Sequence, residues 1–141
     1  MSLKMFATAA IACCLVAGAA HAEVLHYAAV LKGADEVPAN DTAGQGHLVA
    51  TLNTESKAFT YQATYSGLTG PATAAHFHGP AAAGVNAGVQ IPIAAPASPI
   101  SGQATLSDAQ ISDLKAGKWY FNVHTAAHPT GEIRGQVATA P

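Results

Sequence analysis

Apolar and polar residues alternate along most of the chain after its first 22 positions, in short runs separated by Gly, Pro and Asn. Alternation is typical of strands with one buried face, because successive side chains of a strand point to opposite sides of the sheet. In the clearest run, 58–66, Phe59, Tyr61, Ala63 and Tyr65 share one face. The pattern predicts a one-sided antiparallel sheet.

One helical signal stands among these runs. Ser107 is placed to cap a helix, Ile111 and Leu114 form an apolar stripe, and Gly117 is placed to end it. The proline-rich segment 94–99 predicts an irregular loop. We therefore expect an all-β fold, a Greek-key antiparallel β-sandwich or barrel of about seven or eight strands with one short helix. The predicted strands are 24–32, 45–52, 58–66, 73–78, 89–93, 119–125 and 132–138.

Residues 1–22 have the pattern of a secretory signal peptide. Lys4 supplies a positive charge, an apolar run follows, and Ala20-His21-Ala22 fits the small-residue cleavage pattern. We expect cleavage after Ala22 and a single mature domain over 23–141, in the periplasm or secreted. No later run approaches the roughly 20 apolar residues of a membrane helix, so no membrane span is expected.

The mature residues exclude several kinds of site and partner. Both cysteines and both methionines lie in the predicted leader, which excludes blue-copper and iron–sulfur ligation. Without Lys4 the chain has five basic side chains against eight acidic ones, too few for the basic stripe that a nucleic acid requires. No Ser/His/Asp arrangement, phosphate loop or carboxylate pair stands out, so neither nucleic acid nor those reactions are expected.

Histidines recur on strand faces where they can meet. His76 and His78 are two residues apart, so both project from one side of a strand while Phe77 points to the other. His124 ends a second predicted strand, on the same polar face as Asn122. Imidazole binds copper and zinc well, and an all-nitrogen set favours Cu(II), since structural zinc usually recruits Cys or a carboxylate. The pattern predicts a mononuclear copper site at His76, His78 and His124.

The fourth ligand stays open at this point. His128, held extended by the proline after it, is the first choice, with His47 and His26 as alternatives. Arg134 lies on the polar face of the last predicted strand and is the predicted catalytic residue, because its charge would draw a small anion such as superoxide to the copper. Glu132 is expected to be a structural partner of Arg134 or of a backbone amide. A metal-free polar network around Arg134 is the alternative to an ion site.

The chain contains AHFHGP at 75–80, GVNAG at 84–88, and GKWYFNVHT at 117–125 followed by PTGEIRGQ at 129–136. These motifs, together with LKG at 31–33 and EVP at 36–38, resemble the CHRD domain, the module named after chordin. The resemblance extends over almost all of the mature chain. In chordin these modules belong to an extracellular signalling antagonist, a role that does not transfer to a stand-alone exported domain. A metal-free extracellular interaction module, in which the histidines only support a loop, is an alternative function.

The His-x-His strand, the later strand-end histidine and the arginine are also similar, more distantly, to copper–zinc superoxide dismutase. That resemblance implies copper held by His76, His78 and His124, an anion guided by Arg134, and a dismutase-type activity. The mature chain lacks the dismutase disulfide and a zinc-binding loop rich in His and Asp, so it implies a mononuclear centre. Copper storage or delivery without catalysis is a further alternative that uses the same site.

Overall fold

The structure is a computed structural model that describes residues 22–141, so the predicted leader lies, but for its last residue, outside the described residues. The helix α1 spans Asp108–Lys115, and a 3-10 turn covers Gly33–Asp35. No helix in this part of the chain is long and apolar enough to cross a membrane. The strands are β1 Val24–Lys32, β2 Gln45–Asn53, β3 Ala58–Ser66, β4 Ala72–His78, β5 Val89–Pro92, β6 Ile100–Thr105, β7 Trp119–Thr125 and β8 Ile133–Thr139.

All eight strands belong to one antiparallel sheet with the order β5-β4-β7-β8-β1-β2-β3-β6. The sheet curls into a nearly closed barrel around one apolar interior. Several neighbours, such as β1 with β8 and β3 with β6, are distant in sequence, which requires crossover connections of the Greek-key kind. The predicted all-β class, the strand number and the single short helix are confirmed.

Strand β6 is the element that the sequence pattern did not predict. It follows a proline-rich connection and contains Gly102, a composition that favours a loop. In the structure Gly102 lies opposite Tyr61 of β3, and the Tyr61 ring occupies the space that a Cβ at Gly102 would need. The glycine therefore permits close packing inside a strand. Residues 93–99 form the irregular connection before β6, as the prolines predict.

An aromatic cluster fills the barrel and fixes which faces of β4 and β7 point outward. The Phe77 ring centroid lies 5.3 Å from that of Phe59, 4.8 Å from that of Phe121 and 6.1 Å from that of Trp119. All four side chains are fully buried. Because residues alternate between the two faces of a strand, their neighbours in β4 and β7 must point away from the barrel interior. These outward residues are His76, His78, Tyr120, Asn122 and His124.

Helix α1 begins and ends at the residues that the sequence indicated. The Ser107 hydroxyl accepts the Gln110 backbone N–H at 3.2 Å, and the Gln110 side chain accepts the Ser107 N–H at 2.9 Å. This reciprocal pair is a capping box, which satisfies two backbone donors at the first turn. Leu114 is buried against the barrel, and Gly117 has a φ of 69°, which few other residues adopt.

Ser107→Ala is expected to lower the free energy of unfolding by about 1 kcal/mol, because it removes the oxygen that caps the helix. Urea denaturation measures the change. Ser101, an exposed serine of β6, supplies the control, since Ser101→Ala should alter stability by less than about 0.5 kcal/mol. Equal stability of the two variants would contradict the capping role.

Candidate metal centre

Three histidines of β4 and β7 meet on the outer side of the barrel wall. The Nδ1 atom of His76 is 3.1 Å from Nε2 of His124, and the rings of His76 and His78 lie side by side with centroids 5.3 Å apart. One ring nitrogen from each of His76, His78 and His124 lies within 4.8 Å of the others. The register places His76 opposite Asn122, one diagonal step from His124, a separation that side chains can span. The structure thus brings together the three histidines that the sequence predicted as ligands.

The polar face that carries the cluster is buried, whereas alternation alone predicts an exposed one. His124 is 8% exposed, Asn122 3% and Arg134 1%. Residues 79–88, named here the covering loop, lie over this face. The Asn86 side chain in the covering loop donates a hydrogen bond to the Val37 carbonyl at 3.0 Å, which ties the covering loop to the segment after β1. The covering loop and the segment after β1 therefore enclose a strand face that periodicity alone predicts to be exposed to solvent.

Backbone carbonyls fix the tautomers of two of the imidazoles. Nδ1 of His78 lies 2.9 Å from the Ala87 carbonyl oxygen, and Nδ1 of His124 lies 3.0 Å from that of Pro129. A carbonyl only accepts, so each Nδ1 carries a hydrogen, and a neutral ring then has a free lone pair on Nε2. Both Nε2 atoms face Oδ1 of Asn122, at 3.1 Å and 3.0 Å. The lone pairs of Nε2 of His78, Nε2 of His124 and Oδ1 of Asn122 therefore point into one small region.

Burial lowers the pKa of all three imidazoles below the ordinary value of 6.5. The neighbouring rings of His124 and His78 lower the pKa of His76 further. For His78, the bond to Ala87 raises the pKa and the charges of His124 and Arg134 lower it, with burial the largest cause. All three rings are therefore neutral at pH 7, which is the form that ligates a metal.

The Arg134 side chain donates hydrogen bonds to the covering loop. Its Nη1 donates to Oδ1 of Asn86 at 2.9 Å and its Nη2 to the Val85 carbonyl at 2.7 Å. The guanidinium carbon lies 3.4 Å from the centre of the Tyr120 ring, and that ring in turn stacks on His78 with centroids 4.8 Å apart. Arg134 therefore holds the loop over the cluster and directs both terminal nitrogens at loop atoms. Its predicted role toward an anion stays a prediction.

The remaining histidines of residues 22–141 do not join the cluster. His128 lies in the turn after β7, where its backbone N–H and carbonyl bond with Thr125. His26 on β1 and His47 on β2 are two and three strands away from β7 in the sheet. Within residues 22–141, the group of side chains that could hold a metal ion consists of His76, His78 and His124. His128, the first choice for a fourth ligand, and its alternatives His47 and His26 lie outside this group, and the fourth ligand stays a prediction.

Glu132 lies beside the site as a fully buried carboxylate with a structural role. Its oxygens accept hydrogen bonds from the Thr42 hydroxyl at 2.6 Å, the Thr69 hydroxyl at 2.7 Å and backbone N–H at 2.8 Å, and the Thr125 hydroxyl at 2.5 Å. The sequence predicted Arg134 or a backbone amide as the partner of Glu132. In the structure the backbone amide of Thr69 donates to the Glu132 carboxylate.

Two residues of this region were not predicted as part of the site. Asn122 falls on the correct face by alternation, but nothing in the sequence marks its amide as central. Glu36 lies in the loop after β1, and only the fold brings its carboxyl, 4% exposed, next to Asn122 and Arg134. Burial raises the pKa of Glu36 to about 7, although the charge of Arg134 and hydrogen bonds from Asn122 and Val37 oppose that rise.

The fold and the site define an antiparallel β-barrel with a covered three-histidine cluster on its wall. The family model of the CHRD domain matches residues 27–137, and the chain therefore belongs to the CHRD family. Comparisons with curated proteins and with solved structures give no match. The resemblance to copper–zinc superoxide dismutase stays a prediction from the sequence motifs.

Proposed function

We propose that this CHRD protein acts after export and binds one copper ion at His76, His78 and His124. The observation that supports the proposal most strongly is the pair of carbonyl-held tautomers. Ala87 and Pro129 each fix a hydrogen on Nδ1, which leaves Nε2 of His78 and His124 free to ligate. Metal-bound histidines commonly donate their second ring N–H to a carbonyl in this way, which orients the ring and raises its basicity.

Copper fits this donor set better than zinc. The three ligand side chains are imidazoles, and both cysteines of the chain lie in the predicted leader. Closed zinc sites usually include Cys or a carboxylate, whereas nitrogen-rich sets suit Cu(II) in tetragonal geometry. Copper also stands above zinc in general affinity for nitrogen ligands. Zinc is the competitor that a binding assay has to include.

A dismutase-type activity is the chemistry that we propose for the bound copper, which would supply one-electron redox capacity. His76 is partly exposed and lies on the solvent side of the cluster, while His78 and His124 are buried. The charge of Arg134 acts on His78, whose pKa it lowers, so it also favours an anion near the cluster. Copper storage or delivery without turnover is the second candidate, favoured by the 9% exposure of His78 and 8% of His124.

Binding of one equivalent of Cu(II), followed by electron paramagnetic resonance, tests the proposal. We expect nitrogen hyperfine structure in the wild type, and at least about a 100-fold loss of affinity in His76→Ala, since a ligand matters more than the outer-shell groups that cost 10- to 100-fold. His47→Ala is the matched control, because it removes a strand histidine outside the cluster. If His76→Ala keeps the wild-type spectrum, the metal site is rejected in favour of a metal-free interaction module.

A superoxide dismutase assay on the copper-loaded protein then separates the two copper functions. A rate above that of the same concentration of free copper supports catalysis. A rate at or below free copper leaves storage or delivery as the function of the site.

A further inference from the structure

The position of the Asn122 side chain is not accounted for by three histidine ligands alone. Its Oδ1 lies 3.1 Å from Nε2 of His78 and 3.0 Å from Nε2 of His124. With Nδ1 of both rings donating to carbonyls, neither Nε2 of the neutral imidazoles has a hydrogen to give to that oxygen. Two lone-pair contacts at hydrogen-bond distance are repulsive unless a positive charge lies between them.

The separations match those of atoms bound to one metal ion. Bonds of about 2.0–2.1 Å place adjacent ligand atoms about 2.9 Å apart at right angles and about 3.3 Å apart at tetrahedral angles. The three short contacts of the cluster measure 3.0 Å, 3.1 Å and 3.1 Å, and two of them involve the amide oxygen. Asn122 thus lies as close to His78 and His124 as His76 lies to His124, while the three ring nitrogens all lie within 4.8 Å of one another.

Glu36 carries the buried carboxyl next to the Asn122 amide. This carboxyl lies close enough to the Asn122 side chain for that amide to lower the pKa of Glu36. Because Oδ1 of Asn122 faces the two Nε2 atoms, its NH₂ group is the part of the amide that can donate to the Glu36 carboxyl. The Oε1 atom of Glu36 is itself buried with no hydrogen-bond partner, so the carboxyl has no competing contact there.

We infer that Oδ1 of Asn122 is the fourth donor of the proposed copper site, and that Glu36 is a positioning residue that holds this oxygen toward the ion. The inference rests on the proposed function and gives the site three imidazole nitrogens and one neutral oxygen. It replaces the fourth histidine that the sequence left open. Such a mixed set carries no ligand charge, and a carboxyl group in the next layer can orient the amide ligand.

Cu(II) titration and electron paramagnetic resonance of Asn122→Leu and Asn122→Asp test the assignment. Leucine has a similar size and no donor, so we expect about a 10- to 100-fold loss of Cu(II) affinity and altered g and hyperfine values. Aspartate keeps the oxygen and adds charge, so its affinity should equal or exceed that of the wild type. Asn53→Leu, which removes an amide at the far end of β2, is the control and should leave the spectrum unchanged.

Glu36 is tested by rescue. Glu36→Leu removes the acceptor and should weaken Cu(II) binding about 10-fold, whereas Glu36→Gln keeps an oxygen for the amide and should bind within about threefold of the wild type. A merely structural role would move thermal stability in both variants without separating their affinities.

The outcomes distinguish this inference from the function on which it depends. Wild-type affinity and an unchanged spectrum in Asn122→Leu would overturn the ligand assignment, while loss of binding in His76→Ala would still support the copper site. If Asn122→Leu does not fold, Asn122→Asp decides alone, because an aspartate ligand must change the Cu(II) spectrum and an unchanged one overturns the assignment. No Cu(II) binding by the wild type would overturn both.

Discussion

Glu132→Gln is expected to lower the free energy of unfolding by about 3 kcal/mol at pH 7, which corresponds to a fall in Tm of about 12 °C for a domain of this size. The carboxylate is fully buried and accepts hydrogen bonds from three threonines of separate segments. A glutamine keeps one acceptor oxygen but turns the other position into a donor, which then faces hydroxyl and N–H donors. Thermal and urea denaturation measure the loss.

The same variant should change the response to acid. Burial raises the pKa of Glu132, but hydrogen bonds from Thr125, Thr42 and Thr69 outweigh burial and hold it at about 2, below the ordinary 4.5. A carboxyl whose pKa is lower in the folded state stabilises the fold above pH 4.5, and this stability disappears as pH falls from there through 2. The shift is equivalent to about 3 kcal/mol.

Stability curves between pH 7 and pH 2 therefore separate Glu132 from an ordinary surface acid. The wild type should lose stability over this range more steeply than Glu132→Gln, so that the two curves converge in acid. Glu55→Gln, which changes an exposed glutamate in the β2–β3 turn, is the control and should run close to the wild type. Parallel curves for wild type and Glu132→Gln would contradict the role of the carboxylate.

Arg134→Met is expected to destabilise the protein by about 3 kcal/mol and to loosen the covering loop. Methionine fills much of the same volume but donates no hydrogen bond, so the Val85 carbonyl and the Asn86 side chain lose a charged donor, each such bond contributing about 1.5–3 kcal/mol. Glu36 would also lose the positive charge beside it. Hydrogen exchange of residues 79–88 measures the loosening, and denaturation measures the stability.

Lys32 supplies the matched control because it pairs with Arg134 across β1 and β8 but is exposed. Its ion pair with Asp35, at 3.7 Å, lies in solvent, so Lys32→Met should change stability by less than about 0.5 kcal/mol. If Arg134→Met leaves exchange in the covering loop as slow as in the wild type, the arginine does not hold that loop.

Periodicity predicted most of the barrel because each strand has a consistent buried face. Alternation in β3 and β7 identified the inward aromatic residues, and local chemistry at Ser107 and Gly117 identified the ends of α1. Strand β6 escaped prediction because its pairing depends on a contact between Gly102 and Tyr61, which are distant in sequence. The alternation of apolar and polar residues along the chain does not indicate such a contact.

Only those parts of the site that lie on strand faces could be predicted from the sequence. A His-x-His pair and a histidine on the polar face of a second predicted strand are visible in the sequence, so the three histidines that meet in the structure could be named. The positions of Glu36 and of the covering loop could not be predicted. Loops have no repeating pattern of apolar and polar residues that indicates which surface they cover. Arg134 was placed on the correct face, but its bonds to the covering loop required the fold.

The chain has one tryptophan, Trp119, which lies in the aromatic cluster with its ring centroid 6.1 Å from that of Phe77, the residue between His76 and His78. A single indole that lies against Phe77, on the inner face of the strand that carries His76 and His78, is a built-in optical probe. Paramagnetic Cu(II) quenches nearby fluorescence, whereas Zn²⁺, with its filled d shell, does not quench by that route. Emission from the unlabelled protein would therefore report occupancy of the proposed copper site and tell the two metals apart in one titration.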